Sequence, residues 1–220
     1  MKLVLLGGGG HASDVLGLLE DLNRLLGKSL PEIAIGDDYW ENRSRFENRN
    51  VKLIHGIDNA ISWGSHFIAT AGYPSPRRLI AERAIQAGLH AFEAIVHPTA
   101  NLNLERVRIK EGSIMLGMCS VSPLATIGEH CYISHGTLIG HDTVIGDFST
   151  LMPGVSISGD VRIGTGVLVG AGAIVLEKLT VGDNARIGAG AVVTKDVKAG
   201  TTVTGIPAKA RVDYNSNRVC

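Results

Sequence analysis

The sequence predicts two folds in succession: an α/β domain over residues 1–95 and a repetitive coil of short strands over residues 96–220. In the first part, short apolar runs alternate with amphipathic stretches of helical period. In the second part, an aliphatic residue recurs at every sixth position. A change of hydrophobic period within one chain indicates a change of architecture.

The first 95 residues have the strand and helix alternation of a small parallel α/β domain of the Rossmann-like type. Strands are predicted over residues 2–6, 33–35, 51–54 and 67–70, and helices over residues 13–28, 58–63 and 75–88. Residues 39–50, YWENRSRFENRN, are polar and without period, which predicts a surface loop.

The segment GGGGHA at residues 7–12 follows the first strand and opens the first helix. Backbone amides in such a turn, together with a helix N-terminus, favour a phosphate group. Gly7, Gly9 and Ala12 also fit the loose dinucleotide fingerprint, with Asp37 at the end of the next strand. An NAD-dependent oxidoreductase is therefore an alternative, although about 95 residues is short for a full dinucleotide fold.

The six-residue repeat begins at Ile109 and runs unbroken to Val193. A second position, four residues further on, holds mostly small or β-branched residues, and glycine often follows the aliphatic one. The aliphatic positions are Ile109, Met115, Val121, Ile127, Ile133, Ile139, Ile145, Leu151, Ile157, Ile163, Val169, Val175, Val181, Ile187 and Val193. This period predicts a short strand plus a turn, repeated, with one side always turned to a common interior.

Composition excludes several classes of protein. The net charge is zero and the charged fraction is 19%, which gives no sign of a nucleic-acid or anionic membrane partner. No apolar run approaches the roughly 20 residues that span a bilayer. The three cysteines, Cys119, Cys131 and Cys220, lack metal spacing and are interpreted as reduced thiols of a cytoplasmic protein.

His141 and Asp142 are the residues most suggestive of chemistry. His141 lies two positions after the inward Ile139, so its side chain should face outward. Asp142 could hold the imidazole in one tautomer and raise its basicity. Gly159, eighteen residues later, should leave a gap beside the ring. A solvated turn pair without function is the alternative.

The other histidines give no complete ligand set. His130 and His135 have a spacing found in β-helical zinc enzymes, but the stacked positions on neighbouring coils hold no third imidazole. A metal site is therefore not predicted.

Five segments give the whole chain a resemblance to the sugar O-acyltransferase family related to sialic acid O-acetyltransferases. They are GGGGHA at 7–12, IGDD at 35–38, VHP at 96–98, IGHDTVIGDFS at 139–149 and GIPAK at 205–209. Within that family the chain resembles the nucleotide-sugar 4-amino N-acetyltransferases. The resemblance implies a left-handed parallel β-helix with three hexads per coil, and hence about five coils.

The resemblance also implies roles for particular residues. His141 would be the catalytic base and Asp142 its partner. Other implied contacts involve Gly8, Gly9 and His11 near the diphosphate or sugar, Asp37 and Asp38 near the base and ribose, and Gly159, Ala171, Ala189 and Lys209 along the acetyl-CoA groove. Many relatives carry a second histidine where this chain has Thr150. His11 as a plain helix-start residue and Lys209 as a surface lysine are the alternatives.

The expected function is acetyl transfer from acetyl-CoA to the 4-amino group of a nucleotide-linked 4-amino-4,6-dideoxyhexose, with a GDP-linked sugar favoured. Transfer to a sugar hydroxyl, a UDP-linked acceptor and a non-catalytic scaffold are the alternatives. A homotrimer with active sites between subunits is expected, without a metal. Neither the base nor the sugar stereochemistry follows from the residues.

Overall fold

The computed structural model describes residues 1–211. The polar tail is predicted to begin at Arg211 and includes Cys220. Its residues after Arg211 lie outside the described part of the chain. An α/β layer comes first along the chain and a coil of short parallel strands follows.

The α/β layer is a parallel sheet of five strands with strand order β3-β2-β1-β4-β5. Its strands are β1 (Lys2–Leu6), β2 (Glu32–Asp37), β3 (Lys52–His55), β4 (His66–Ala69) and β5 (His90–Ala91). Its helices are α1 (Gly10–Leu26), α2 (Ile57–Trp63) and α3 (Pro74–Gln86). The central strand β1 is buried from Leu3 to Leu6, as expected for a parallel strand covered on both sides.

Three details differ from the sequence-based expectations. Helix α1 begins three residues earlier, because Gly9 is extended and its carbonyl already accepts the Ala12 N–H. The expected loop contains a 3₁₀-helix over Trp40–Arg45, since the buried Phe46 draws that segment onto the sheet. Strand β5 was not predicted, because two residues are too few to show a period.

The second part is a coil of two- and three-residue strands. They are β6 (Ile95–Val96), β7 (Arg108–Ile109), β8 (Ile114–Met115), β9 (Ser120–Val121), β10 (Thr126–Ile127), β11 (Tyr132–Ile133), β12 (Leu138–Ile139), β13 (Val144–Ile145), β14 (Thr150–Leu151), β15 (Ser156–Ile157), β16 (Arg162–Ile163), β17 (Leu168–Val169), β18 (Ile174–Val175), β19 (Thr180–Val181), β20 (Arg186–Ile187), β21 (Val192–Val193), β22 (Thr202–Thr204) and β23 (Lys209–Ala210). Every pairing is parallel except that of β22 with β23.

The strands form three sheets, which are the three faces of a prism. Face 1 contains β7, β10, β13, β16 and β19; face 2 contains β6, β8, β11, β14, β17, β20, β22 and β23; face 3 contains β9, β12, β15, β18 and β21. Residues eighteen apart pair directly, as Ile127 does with Ile145 and Ile139 with Ile157. Each coil therefore repeats the side-chain positions of the one before it.

The hexad pattern fills the prism as predicted. The aliphatic positions from Met115 to Val193 are all buried, and Ile109 is partly buried at the open end. Polar residues at the second position bond to the backbone: Ser149 Oγ donates to Gly164 O and accepts from Val167 N–H. Buried hydroxyls satisfied in this way cost little stability.

Glycine after the aliphatic position has a steric cause at several turns. Asp147 Oδ1 accepts the Glu129 N–H from the preceding coil at 2.8 Å, and a Cβ on Gly128 would collide with that carboxylate. Asp183 and Gly164 repeat the arrangement. Asp147 and Asp183, each two residues after an aliphatic position, thus link successive coils by hydrogen bonds.

The α/β layer packs on face 2, where Ile114, Leu116 and Tyr132 join the cluster formed by β1 and α1. The fully buried Arg77 of α3 donates from Nε to His130 O at 2.8 Å and from Nη2 to Phe148 O at 2.7 Å. The same guanidinium also donates to the carbonyls of residues 71, 72 and 149 and to the hydroxyl of residue 150. Burial lowers the pKa of Arg77 to about 10, so it remains charged at neutral pH.

His130 is buried at this junction with no partner for Nδ1 among residues 1–211. Its ring stacks between Phe67 and Phe148, at centroid distances of 5.5 and 5.0 Å. Burial lowers its pKa, as does Arg77 to a smaller extent, while Glu129 and Asp147 act in the opposite direction. The folded protein therefore favours neutral His130.

We expect the melting temperature to fall as the pH drops below about 6.5, because the unfolded chain binds a proton on His130 before the folded chain does. One such proton changes the free energy of unfolding by up to about 1.4 kcal/mol per pH unit. In His130→Phe, thermal unfolding between pH 8 and pH 5 should show a flatter pH dependence. His11, whose pKa burial also lowers, contributes equally to both proteins. Equal slopes would contradict a proton-sensitive His130.

Candidate active site

His141 and Asp142 lie on the prism edge between face 3 and face 1, directly after β12. The His141 side chain is 67% exposed, so it points outward as predicted. Its Nδ1 lies 2.8 Å from Asp142 Oδ2. Asp142 has φ +58°, a left-handed conformation that aspartate tolerates better than most residues.

The hydrogen bond decides which ring nitrogen is available for chemistry. A carboxylate only accepts, so the bond to Asp142 assigns the proton of neutral His141 to Nδ1. Nε2 then carries the free lone pair and faces away from Asp142. An exposed imidazole held in this tautomer is equipped to take a proton from a bound molecule.

Gly159 lies against this ring, one coil further along. A Cβ at residue 159 would lie 2.6 Å from His141 Nε2, and no positive φ requires glycine there. The expected gap beside the imidazole is therefore filled by the imidazole itself, which corrects the prediction. The Gly159 N–H makes no hydrogen bond within residues 1–211.

The glycine turn, residues 7–10, places Gly8 against Asp37. A Cβ on Gly8 would lie 2.6 Å from Asp37 Oδ2, and Gly7 has φ +108°, so both positions call for glycine. Gly9 faces open space and is the N-cap of α1, whose first turn contains no acidic residue. Gly8 is buried and the Gly7 N–H bonds to Gly36 O, so the accessible part of this helix N-terminus is at Gly9 and Gly10.

The two neighbouring acids behave differently. Asp38 Oδ1 accepts the Ile57 N–H at 2.9 Å and so caps α2. Asp37 lines a shallow pocket with Gly8, Tyr39 and Arg43 above an apolar floor. Of the pair, Asp37 is the one that faces Gly8.

His11 is half-buried between the two parts of the chain. Its ring packs on the backbone of Gly72 and meets Tyr132 edge-on at a centroid distance of 4.5 Å. Tyr132 in turn donates to Asp14 Oδ2 at 2.8 Å. These contacts favour the helix-start alternative for His11, although its ring borders the glycine turn.

The remaining predicted site residues lie along the later coils. Ala171 and Ala189 are exposed and stacked on the edge between face 2 and face 3. Lys209 is exposed in β23, paired with Thr204. Face 3 separates the Ala171 edge from the His141 edge, so a long ligand joining these positions would cross face 3.

Thr150, where relatives often carry histidine, is buried. It accepts from Arg77 Nη2 at 2.7 Å and donates to Gly72 O at 2.9 Å. A residue so enclosed cannot act on a ligand at the His141 edge. The departure from the family pattern is thus a packing feature of this chain.

Arg77 was missed by sequence reasoning. The signal was present: the buried residues of α3 are Pro74, Arg77, Ala81 and Ala84, which places a cation on the helix's core-facing stripe. A charge at such a position indicates a dedicated set of acceptors.

His141 lies across the prism from the α/β layer. That layer covers face 2, whereas the His141 edge joins the other two faces. The glycine turn and the imidazole of one chain are therefore separated by the body of the prism.

Within residues 1–211, no helix is long and apolar enough to cross a membrane. The same residues contain no group of three or more His, Cys, Asp or Glu side chains arranged to hold a metal ion.

Comparisons with known proteins identify the repeat. The family profile described as bacterial transferase hexapeptide (six repeats) matches residues 142–177 and 160–195. A search of curated protein sequences finds no match.

Solved structures with the same architecture cover nearly the whole chain. A mutant of perosamine N-acetyltransferase from Caulobacter crescentus, in complex with CoA and GDP-perosamine, is 26% identical, with a TM-score of 0.82 over 97% of this chain and 98% of that one. The acetyltransferase domain of PglB from Neisseria gonorrhoeae, in complex with acetyl coenzyme A, is 27% identical, with a TM-score of 0.84 over 96% and 98%. The predicted resemblance is confirmed.

Gly159→Ala tests whether glycine sets the ring position. The new methyl group would force the imidazole to move by roughly 1 Å to reach normal contact distance, which should disrupt the His141–Asp142 bond. The ¹⁵N shifts of the His141 ring should then report a mixture of tautomers. Gly17→Ala, where a Cβ meets nothing within 4 Å, is the control. Unchanged His141 shifts in Gly159→Ala would show that the glycine has no such role.

Proposed function

We propose that this chain, which belongs to the hexapeptide-repeat transferases, transfers an acetyl group from acetyl-CoA to the 4-amino group of a nucleotide-linked 4-amino-4,6-dideoxyhexose, with GDP-perosamine as the favoured acceptor. The observation that carries the proposal is the exposed His141, bonded to Asp142 and presenting Nε2 beside Gly159. The solved relatives bound to CoA, acetyl-CoA and GDP-perosamine support the substrate class.

His141 acts as the general base. A sugar amine is mostly protonated at neutral pH, and attack requires its lone pair. Nε2 accepts the amine proton while the nitrogen attacks the thioester carbonyl, and Asp142 stabilises the imidazolium that forms.

Attack converts the thioester carbonyl into a tetrahedral oxyanion, which needs a hydrogen-bond donor. The Gly159 N–H is assigned this role because it is uncommitted and lies in the coil next to the base. Collapse of the intermediate breaks the C–S bond, and the imidazolium gives its proton to the departing thiolate of CoA. The nitrogen, which still carries one proton more than an amide, then releases it to the freed imidazole and from there to solvent. No covalent enzyme intermediate is needed.

A second copy of the chain completes the site. Since the α/β layer and His141 are on opposite sides of one prism, the acceptor bound by one chain must meet the imidazole of another. This geometry favours a closed ring of subunits, and a homotrimer is proposed.

The acceptor's nucleotide binds the α/β layer. The amides of Gly8 and Gly9 and the α1 N-terminus meet the phosphates, with His11 beside them. Asp37 accepts N–H donors from the base or O–H donors from the ribose, and Asp38 contributes through the α2 cap.

Acetyl-CoA lies along the outer surface of the later coils, with its thioester at Gly159. Pantetheine crosses face 3 towards Ala171 and Ala189, where small side chains admit it closely. Lys209 meets the 3′-phosphate. No resident metal takes part.

The proposal includes the division of the chain into domains, the handedness of the β-helix and the location of the protein. The chain divides into a Rossmann-like nucleotide-sugar-binding domain, 1–95, and an acetyltransferase domain, 96–220, whose β-helix is left-handed with about five coils. The protein is placed in the cytoplasm, where its product would feed polysaccharide assembly.

A thiol-release assay with acetyl-CoA tests the proposal against GDP-, UDP- and dTDP-linked 4-amino sugars and their hydroxyl counterparts. Release with an amino sugar, and a mass gain of one acetyl group on nitrogen, supports it. Release with hydroxyl sugars alone identifies an O-acetyltransferase and overturns it. Binding of NAD in a parallel titration, without any thiol release, would indicate an oxidoreductase.

His141→Ala should lower kcat by about 100-fold or more, because the amine proton loses its acceptor. The KM for either substrate should change by no more than a few-fold, and the deficit should shrink at higher pH as the amine deprotonates in solution. His90→Ala, which removes an exposed histidine in β5, is the matched control. A His141→Ala rate within a few-fold of wild type would mean that the amine arrives already deprotonated.

A further inference from the structure

A cleft of about 250 Å³ opens directly beneath the His141 edge, one coil nearer the N-terminus. It is lined by Glu105, Arg106, Arg108, Leu124, Ala125 and Thr126. Hydrogen bonds fix its position: the Asp142 N–H donates to Pro123 O, and the Leu124 N–H donates to Arg106 O. Successive coils lie roughly 4.8 Å apart, so Pro123 and Leu124 lie about that distance below His141 and Asp142.

Leu124 is an unusual residue for its place. It has φ +67° and is 56% exposed. The residues stacked after it on the same edge, Asp142, Asp160 and Lys178, also have positive φ, and the two aspartates are of the short polar type that tolerates it. A leucine there incurs backbone strain and leaves a large apolar side chain in water. Strain of this kind recurs at other turns of the coil, as at Met118, so it is the position of Leu124 directly below His141 that makes this residue a candidate for contact with a ligand.

Pro123 lies beside Leu124 and is also exposed. Together these residues form an apolar shelf, Pro123–Leu124, directly under the proposed base. The methyl group at C5 of a 6-deoxyhexose is the neighbour of the C4 substituent on the ring. An amine that bonds His141 Nε2 thus carries its methyl group to within one coil's distance of the base.

We propose that the Pro123–Leu124 shelf binds the 6-methyl group of the acceptor and selects 6-deoxy over 6-hydroxy amino sugars. The inference rests on the proposed function and names a specificity determinant for it. A hydroxyl at C6 would be pressed against the leucine without a partner, which costs binding free energy.

The opposite end of the cleft suits one side of the diphosphate, whose other side would meet the glycine turn of the neighbouring chain in the proposed function. That group is attached at C1, across the sugar ring from the amine. Arg106 and Arg108 line the cleft and form no ion pair within residues 1–211. Glu105 is the one acid among the lining residues, so the lining has a formal net charge of about +1. Guanidinium groups suit phosphate oxygens through paired N–H donors. The arginines therefore orient the sugar with its methyl group on the shelf.

Leu124→Asn tests the shelf, and Met118→Asn is its matched control. Met118 is likewise exposed, at 69%, and has φ +60°, but it lies on the edge between face 2 and face 3. Asparagine tolerates this conformation at both sites, so neither variant should lose thermal stability. The two acceptors are GDP-linked 4-amino-4,6-dideoxymannose and its 6-hydroxy analogue.

Wild type should prefer the 6-deoxy acceptor in kcat/KM, and Leu124→Asn should reduce that preference by about 10-fold or more, the usual scale for a lost apolar group. Met118→Asn should keep the wild-type ratio within two-fold. A ratio that is unchanged in Leu124→Asn overturns the shelf. Failure of the wild type to acetylate either sugar, or any amino sugar of the panel, overturns the proposed function first.

Arg108→Met tests the orientation of the sugar, with Lys110→Met as control. Lys110 is two residues away and pairs with Glu129 at 3.4 Å, so the two variants change the net charge equally. Arg108→Met should raise the KM for the nucleotide sugar by about 10-fold and leave the KM for acetyl-CoA unchanged. An unaltered nucleotide-sugar KM would overturn the orientation that brings the methyl group to the shelf.

Discussion

The buried guanidinium of Arg77 joins the two halves of the molecule. It donates to carbonyls in two turns of the coil and in the turn after β4, and no carboxylate neutralises it within the described residues. A buried cation without a counter-ion is tolerated only when its N–H groups are all satisfied. The register between the α/β layer and the prism is therefore fixed by hydrogen-bond geometry, and the apolar packing of Tyr132 and Ile114 follows it.

That junction decides where the chemistry can happen. Because Arg77 and Tyr132 hold the α/β layer against face 2, the opposite edge stays open, and His141 lies there. In the proposed function, a base that faces away from the α/β layer of its own chain would serve a neighbouring chain. The proposed division of the site between subunits therefore rests on this one buried junction and on the three-sided shape of the coil.

The sequence predicted the coil well and the junction poorly, for different physical reasons. A hexad pattern is local and repeated, so the inward positions and the outward His141 follow from counting alone. Arg77, the stacked His130 and the Asp38 cap depend on residues distant in sequence, which one sequence does not bring together. The Gly159 contact lies between these cases: the eighteen-residue step located it, but the side that the ring occupies needed coordinates.

The edges of the prism also explain why specificity can evolve without disturbing the core. Inward positions are constrained by close packing, whereas the edges present left-handed residues whose side chains are free of the core wherever the α/β layer does not cover them. Aspartate, lysine, leucine and methionine all occupy such positions here, as at Asp160, Lys178, Leu124 and Met118. Their strain is borne by a rigid scaffold, so an unfavourable residue can persist there when a ligand benefits from it. Within residues 1–211, the His141 edge carries an imidazole and a leucine in successive coils, so under the proposed function the base and the sugar contact could be tuned independently there.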